Sequence, residues 1–460
     1  MNTKNQYNRR EFLKTSVLGL AGGTLLSACS DHGRSPPAMV RQPEDVDPVV
    51  DPASLEKPDL TLGFVPVNDC IPFAVAYTKG FFKKYGLNVR LSRESSWAAS
   101  RDGVIFGRLD AAPVVSGAVV NARNGAEGAR PAPLCAAMTI HRHGNAITMN
   151  RGMWDAGVRP LHEYHGDVER MGRDIRAYFQ ALPPSQRTVA VVLSSAIYEY
   201  FIRYLLTLSG MNPRRDFRIV IIPPPQMVTN MRIGAMSMYM VAEPWNTRAI
   251  VGNEGVGFTF AHGAEIWRGH PDRLLAVMES FIERYPKTYR SLVKAMVEAC
   301  RWADRPENRE EIAELASLRA FTGPPAKFTR PALVGEYNYG GFDDQPRIVN
   351  LPDATMFFEL PDRIKGSPRD HSTFLWQSDA LWLMSQAALW KQTPGLPSDP
   401  IGVAKRAWRT DLYREIVGEI GIQCPEEAYK TIPGDLFIDK RPFDPFDLEG
   451  YISSFSSKIH

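Results

Sequence analysis

One local pattern occurs twice in this chain, and it constrains the fold more than any other feature. Leu60-Thr61-Leu62-Gly63-Phe64-Val65 reads as a buried strand. Ile71 to Tyr85 reads as a helix, with Gly86 at its C-cap position. Leu87 to Leu91 alternates apolar and polar residues and reads as a second strand. Ser100 to Gly107 reads as a short helix, and Leu109 to Val115 as a third strand. The same order returns with strand Thr188 to Leu193, helix Ala196 to Ser209, strand Phe217 to Ile222, helix Met227 to Gly234 and strand Met238 to Ala242. Spacings this short require parallel crossovers, so each unit predicts one α/β lobe. Two such lobes predict an α/β fold with a cleft between the carboxyl ends of their strands.

The boundaries follow. Lobe 1 is expected over 58–145 and lobe 2 over 146–245. Residues 246–460 are expected to return to lobe 1 with C-terminal helices and a wrapping tail. Within that return, Asp272 to Ala303 carries apolar residues at helical spacing, interrupted at Pro286. The tail from Gly434 to Phe455 is rich in Pro, Asp and aromatics. The stretch from Trp154 to Arg187 reads equally as a cleft lid or a surface insertion.

The first 28 residues read as a leader. Arg9-Arg10 precedes Phe12-Leu13-Lys14, and a short Gly- and Ala-rich apolar run leads to Leu26-Ser27-Ala28-Cys29. The order is that of a twin-arginine export signal followed by a lipobox. The apolar run is too short to span a bilayer. Cys29 is the expected lipidation site, which puts the chain on the outer side of the cell membrane, held by acyl chains. Residues 29–57 hold Pro36, Pro37, Pro43, Pro48 and Pro52 and read as a disordered tether.

Charge narrows the partners. The formal net charge is +3. Lys4, Arg9, Arg10 and Lys14 against Glu11 account for all of it, so the mature chain is near neutral. No basic footprint remains for nucleic acid. Of the five cysteines, Cys70, Cys135, Cys300 and Cys424 are widely spaced and read as separate buried thiols. His141, His143, His262 and His270 have no metal-ligand spacing and read as structural or exposed. No cofactor or metal is expected, and no catalytic motif is present.

Several segments resemble one family. They are Leu62-Gly63-Phe64-Val65-Pro66 with Asp69-Cys70, Lys79-Gly80-Phe81-Phe82-Lys83-Lys84-Tyr85-Gly86-Leu87, Ser92-Arg93-Glu94-Ser95-Ser96-Trp97, Pro223-Pro224-Pro225-Gln226-Met227 and Glu243-Pro244-Trp245-Asn246. Together with Glu265-Ile266-Trp267 and Asp379-Ala380-Leu381-Trp382, they resemble the nitrate/bicarbonate-binding lipoproteins of ABC importers. The resemblance implies a type II periplasmic-binding-protein fold with a hinged cleft. It also implies binding without chemistry, a small oxyanion as ligand, and an inner-membrane ABC permease as partner.

The resemblance also implies site residues. Trp97 follows the second strand, where its indole N–H and ring can meet a ligand; a core Trp is the alternative. Asn145 stands where nitrate-binding members usually have Gln, and reads equally as a donor or a turn cap. Tyr198 stands where His is common; it can donate but carries no positive charge, and a packed aromatic is the alternative. Glu243 is expected to orient a donor or pair with an arginine, and Trp245 to be core. Gln226 is a candidate at the cleft mouth. Arg273 stands where the nitrate branch has Lys and the bicarbonate branch an acidic residue that helps hold calcium. Its fixed charge and planar fork suit a planar monoanion, so nitrate, with nitrite beside it, is the expected ligand. Cyanate, bicarbonate or an organic sulfonate on the same fold is the alternative, as is an extracytoplasmic sensor.

Overall fold

The computed structural model of the protein describes residues 40–251 and 255–459. The leader, the lipobox and Cys29 lie outside these residues. The strands run β1 (Asp59–Phe64), β2 (Asn88–Arg93), β3 (Ala112–Val115), β4 (Leu134–His143), β5 (Asn145–Asn150), β6 (Thr188–Val191), β7 (Arg218–Ile221), β8 (Met238–Ala242), β9 (Gly257–His262), β10 (Pro271–Met278), β11 (Glu336–Asn338), β12 (Ile348–Asn350) and β13 (Thr355–Met356).

Two sheets carry the two lobes. The first has the order β13-β4-β10-β3, with the parallel pair β1-β2 beside it. The second has the order β7-β6-β8-β5-β9. β6 is parallel to β7 and β8, while β5 is antiparallel to β8 and β9. All ten residues of β4 are buried, as expected for a strand covered on both faces. The chain crosses from the first sheet to the second at His143-Gly144, at φ of 63° and 80°. It crosses back between β9 and β10.

Four expectations are corrected. The helix from Ile71 breaks in two, Ile71–Thr78 and Phe81–Lys84, because Gly80 between them takes a left-handed φ of 78°. The segment after Asp272 is not helical from its start. Arg273-Leu274-Leu275-Ala276-Val277 forms β10, antiparallel to both β3 and β4, and helices Glu279–Arg284 and Pro286–Asp304 follow it. A buried apolar run of this length fits strand or helix, and sheet pairing decides it. The second sheet also takes in β9, so the return to the first lobe starts after His262 and not at residue 246.

The fourth correction concerns the tether. Residues 40–57 are docked and not free. Val49 N–H donates to Lys84 O at 2.7 Å, Lys83 Nζ donates to Pro43 O at 2.7 Å, and Leu55 is buried. Proline removes donors and backbone freedom, which lowers the entropy cost of laying an extended segment on a surface.

Trp154 to Arg187 forms an outer layer on the second lobe. Helix Val168–Ala181 starts at an Asp167 cap that accepts from Arg170 N–H at 2.9 Å. It buries Met171, Ile175 and Phe179, each worth about 1.5–3 kcal/mol on full burial. The C-terminal segment touches both lobes. On the first, Arg409 N–H donates to Ala136 O of β4 at 2.8 Å; on the second, Tyr337 and Tyr339 pack against Ala146, and Tyr204 of helix Ile197–Leu208 bonds to Asp439. Among the described residues Cys70, Cys135, Cys300 and Cys424 are unpaired.

The docked segment predicts a mutational cost. Gly86 has φ 74°, and a Cβ there would lie 2.7 Å from Val50 O. Gly86→Ala should cost about 1–3 kcal/mol, read as a lower urea midpoint at unchanged slope. An unchanged midpoint would mean that the segment is not seated there.

Candidate functional site

β10 puts Arg273 between the two lobes. The side chain is fully buried. Its guanidinium carbon lies 4.0 Å from the centroid of the Trp97 ring and 5.0 Å from that of Tyr198, within cation–π range. Trp97 opens helix Trp97–Ile105, whose Ser96 cap accepts from Ala99 N–H at 3.1 Å. Tyr198 sits in the first turn of helix Ile197–Leu208 on the second lobe. The cation is thus flanked by one aromatic from each lobe.

Two carboxylates and a phenol complete the cluster. Nη1 lies 2.5 Å from Asp272 Oδ1, and Nε lies 2.5 Å from Asp69 Oδ2. Nη2 donates to the Tyr198 hydroxyl at 2.8 Å, and that hydroxyl donates to Asp272 Oδ2 at 3.0 Å. The Nε contact is close but poorly aligned for a hydrogen bond, so it is an ion pair in character. His141 Nε2 stands 3.7 Å from an oxygen of each aspartate. The Trp97 indole N–H, both Asp69 oxygens and both His141 nitrogens are buried without a hydrogen-bond partner.

The electrostatics follow from burial. Burial opposes the Arg273 charge, but Asp272, Tyr198 and Asp69 outweigh it and hold the guanidinium more firmly protonated than usual. Burial pushes the Tyr198 phenol far up, against the pull of Arg273, so it stays a neutral donor. Burial also pushes the Asp272 carboxyl above its usual range, and Arg273 opposes that rise. Asp69, His141 and Asp272 each offer one atom within 4.8 Å of the others. The cation held among them is the chain's own guanidinium, in contact with both carboxylates, so no metal is assigned there.

The other expected residues lie elsewhere. Asn145 is fully buried at the first crossing, where its Nδ2 meets His270 Nε2 at 2.8 Å and donates to His143 O at 3.2 Å. Gly263 allows this approach, since a Cβ there would lie 2.1 Å from Asn145 Oδ1. Glu243 is buried and accepts from the Tyr337 hydroxyl and from Thr247 N–H; these partners are not an arginine. Trp245 is core and donates to Pro66 O. Gln226 is exposed, in the turn Pro224–Gln226, and is not brought to Arg273. Asp69, His141 and Asp272 were not expected in the site. Asp69 had a usable signal, its place just beyond the end of β1, where α/β sheets hold ligands. His141 is not exposed, because β4 buries both of its faces.

A separate cavity of about 280 Å³ is lined by residues that include His162, Tyr164, Glu265, Arg268, Asp435 and Phe437. On its wall Glu265 accepts from Tyr339 and from His262 N–H, and burial pushes its carboxyl to about 7.

The matched residues settle the family. The chain belongs to the NMT1-like family, whose model matches residues 53–317. It is 33% identical over 403 residues to the nitrate import ATP-binding protein NrtC of Synechocystis, covering 87% of this chain and 56% of that one. The chain therefore spans about half of that relative's length. It is 25% identical over 475 residues to the bicarbonate-binding protein CmpA of Synechococcus elongatus, covering 100% of each. The crystal structure of the periplasmic nitrate-binding protein NrtA from Synechocystis matches the fold with a TM-score of 0.74 at 24% identity, covering 87% of this chain and 99% of that one. The fold is that of periplasmic binding proteins.

The cluster predicts a pH-dependent defect. Arg273→Ala leaves two buried carboxylates without a counter-charge and should cost about 3–5 kcal/mol near neutral pH. Burial then acts on Asp272 unopposed and raises its folded value further. A carboxyl with a raised folded value stabilises at low pH and loses that contribution as pH rises through it. The defect in thermal stability should therefore shrink as pH falls from neutral. A pH-independent defect would contradict this arrangement of charges.

Proposed function

We propose that this chain is the extracytoplasmic solute-binding component of an ABC importer, held at the membrane by lipid on Cys29. It captures a small planar oxyanion, with nitrate as the ligand the site favours. One observation carries the reading: the fully buried guanidinium of Arg273 lies between Trp97 of one lobe and Tyr198 of the other. A cation at the lobe boundary can couple anion capture to closure, because only the closed form surrounds it with both aromatics. An oxyanion would displace the poorly aligned Asp69 contact on the guanidinium, and the Trp97 N–H adds a free donor. The family supports transport, and its relatives include proteins named for nitrate and for bicarbonate. Arg273 already fills the place between Asp69 and Asp272 that a metal would take, which favours nitrate over a metal–bicarbonate pair. Binding is the whole activity proposed; the permease does the moving.

Titration calorimetry on the chain without residues 1–28 tests this, with nitrate, nitrite, cyanate and bicarbonate, the last with and without calcium. Nitrate should bind at one site with Kd of about 1 μM or tighter. Arg273→Glu should weaken it by roughly 30-fold or more, the loss typical for breaking a buried charge contact. Unchanged nitrate affinity in that variant, or binding of bicarbonate with calcium alone, would sink the nitrate reading.

A further inference from the structure

We propose that the cavity beside the second crossing is a binding site for a free α-amino acid in its zwitterionic form, separate from the Arg273 cluster. The inference does not depend on the oxyanion reading. Two opposite charges face this space and do not touch. Glu265 and Arg268 both line the cavity, and both come from the short segment between β9 and β10. Arg268 lies near enough to act on the Glu265 carboxyl, yet its ion pair is made to Asp353. Both side chains are half-buried, so a complementary charge brought to either is screened less than at the open surface.

Each charge is left incomplete by the protein. Arg268 Nη1 donates to Asp353 Oδ2, and Arg363 Nη2 donates to the same oxygen at 3.0 Å. One carboxylate is thus shared by two guanidinium groups. Among the described residues, Nε and Nη2 of Arg268 have no acceptor. Glu265 Oε2 accepts from His262 N–H and from the Tyr339 hydroxyl, both at 2.7 Å. Its Oε1 accepts from no described residue, and no cation pairs with the carboxyl. A lone anion on Arg268 would face the Glu265 carboxylate across the cavity, and a lone cation on Glu265 would face Arg268. A zwitterion meets both at once and leaves the net charge unchanged. An α-amino acid carries its ammonium and its carboxylate on one carbon, which suits two groups held close without contact. The carboxylate takes the open Nε–Nη2 edge of Arg268 as a fork, and the ammonium donates to Glu265 Oε1. Leu161, Val168, Leu436 and Phe437 supply an apolar wall for the side chain. The volume of about 280 Å³ falls just under the range of about 300–1,000 Å³ usual for larger ligands, as fits a single amino acid with an apolar side chain.

The test is calorimetric titration at about pH 8, above the value of about 7 to which burial pushes the Glu265 carboxyl. The probes are leucine, isocaproate, which lacks the ammonium, and isoamylamine, which lacks the carboxylate. Leucine should bind at one site with Kd of about 0.1 mM or tighter, and each analogue at least about tenfold more weakly. Glu265→Gln keeps the acceptor for His262 N–H and Tyr339 but turns an amide NH₂ toward the ammonium. It should weaken leucine by at least about tenfold, with a thermal melt showing that the variant is folded. The analogue series needs no variant, so it decides the matter even if that one fails to fold. Isocaproate or isoamylamine binding as tightly as leucine would overturn the proposal. So would a folded Glu265→Gln with undiminished affinity, or no binding of leucine, glycine or phenylalanine at about 10 mM. Leucine binding that is lost in Arg273→Glu and kept in Glu265→Gln would belong to the other cluster and overturn it equally.

Discussion

A guanidinium can be taken out of water only if carboxylates and donors of good geometry come with it, and in this protein that requirement organises the boundary between the lobes. Arg273 draws Asp69 from the turn after β1, Asp272 from its own strand and Tyr198 from the opposite lobe. Trp97 covers its face. Each partner comes from a different part of the chain, so one side chain ties the end of β1, the start of helix Trp97–Ile105, β10 and helix Ile197–Leu208 to a single point. The lobes also meet through Asn121, whose Nδ2 donates to the Tyr200 hydroxyl and to Ser195 O, both at 2.7 Å. The contact between the lobes is therefore polar and specific.

The crossings between the lobes are built differently. His143, His262 and His270 lie fully buried around Asn145. Burial lowers all three imidazoles, His262 to about 4, so they act as neutral hydrogen-bonding groups. His143 Nε2 accepts from Gly269 N–H, and His262 Nδ1 accepts from Ala264 N–H. Asn145 thus belongs to the connection between lobes and not to the charged cluster. Its shorter reach than Gln fits that place.

The parts of the fold set by local periodicity were readable from the sequence. The two strand–helix–strand units fall within a few residues of their expected bounds because alternation and buried runs act over short distances. β10 was not readable, since its apolar run also suits a helix and only pairing with β3 and β4 decides between them. The docked course of residues 40–57 depends on surfaces far away in sequence, at Lys84 and Val89. In the candidate cluster, Arg273, Trp97 and Tyr198 were nameable through the family resemblance. Asp69 and His141 were not, because their importance comes from what they lack in the folded state. Unpaired buried atoms are invisible before the chain is folded.

The most direct test of the account is a crystal structure of the protein grown with nitrate. The account predicts planar density against the Trp97 ring, within hydrogen-bond distance of Arg273 and Tyr198, with the Arg273–Asp69 contact loosened. An undisturbed Arg273–Asp69–Asp272 cluster, with the anion bound instead beside Arg268 and Glu265 or nowhere, would contradict it.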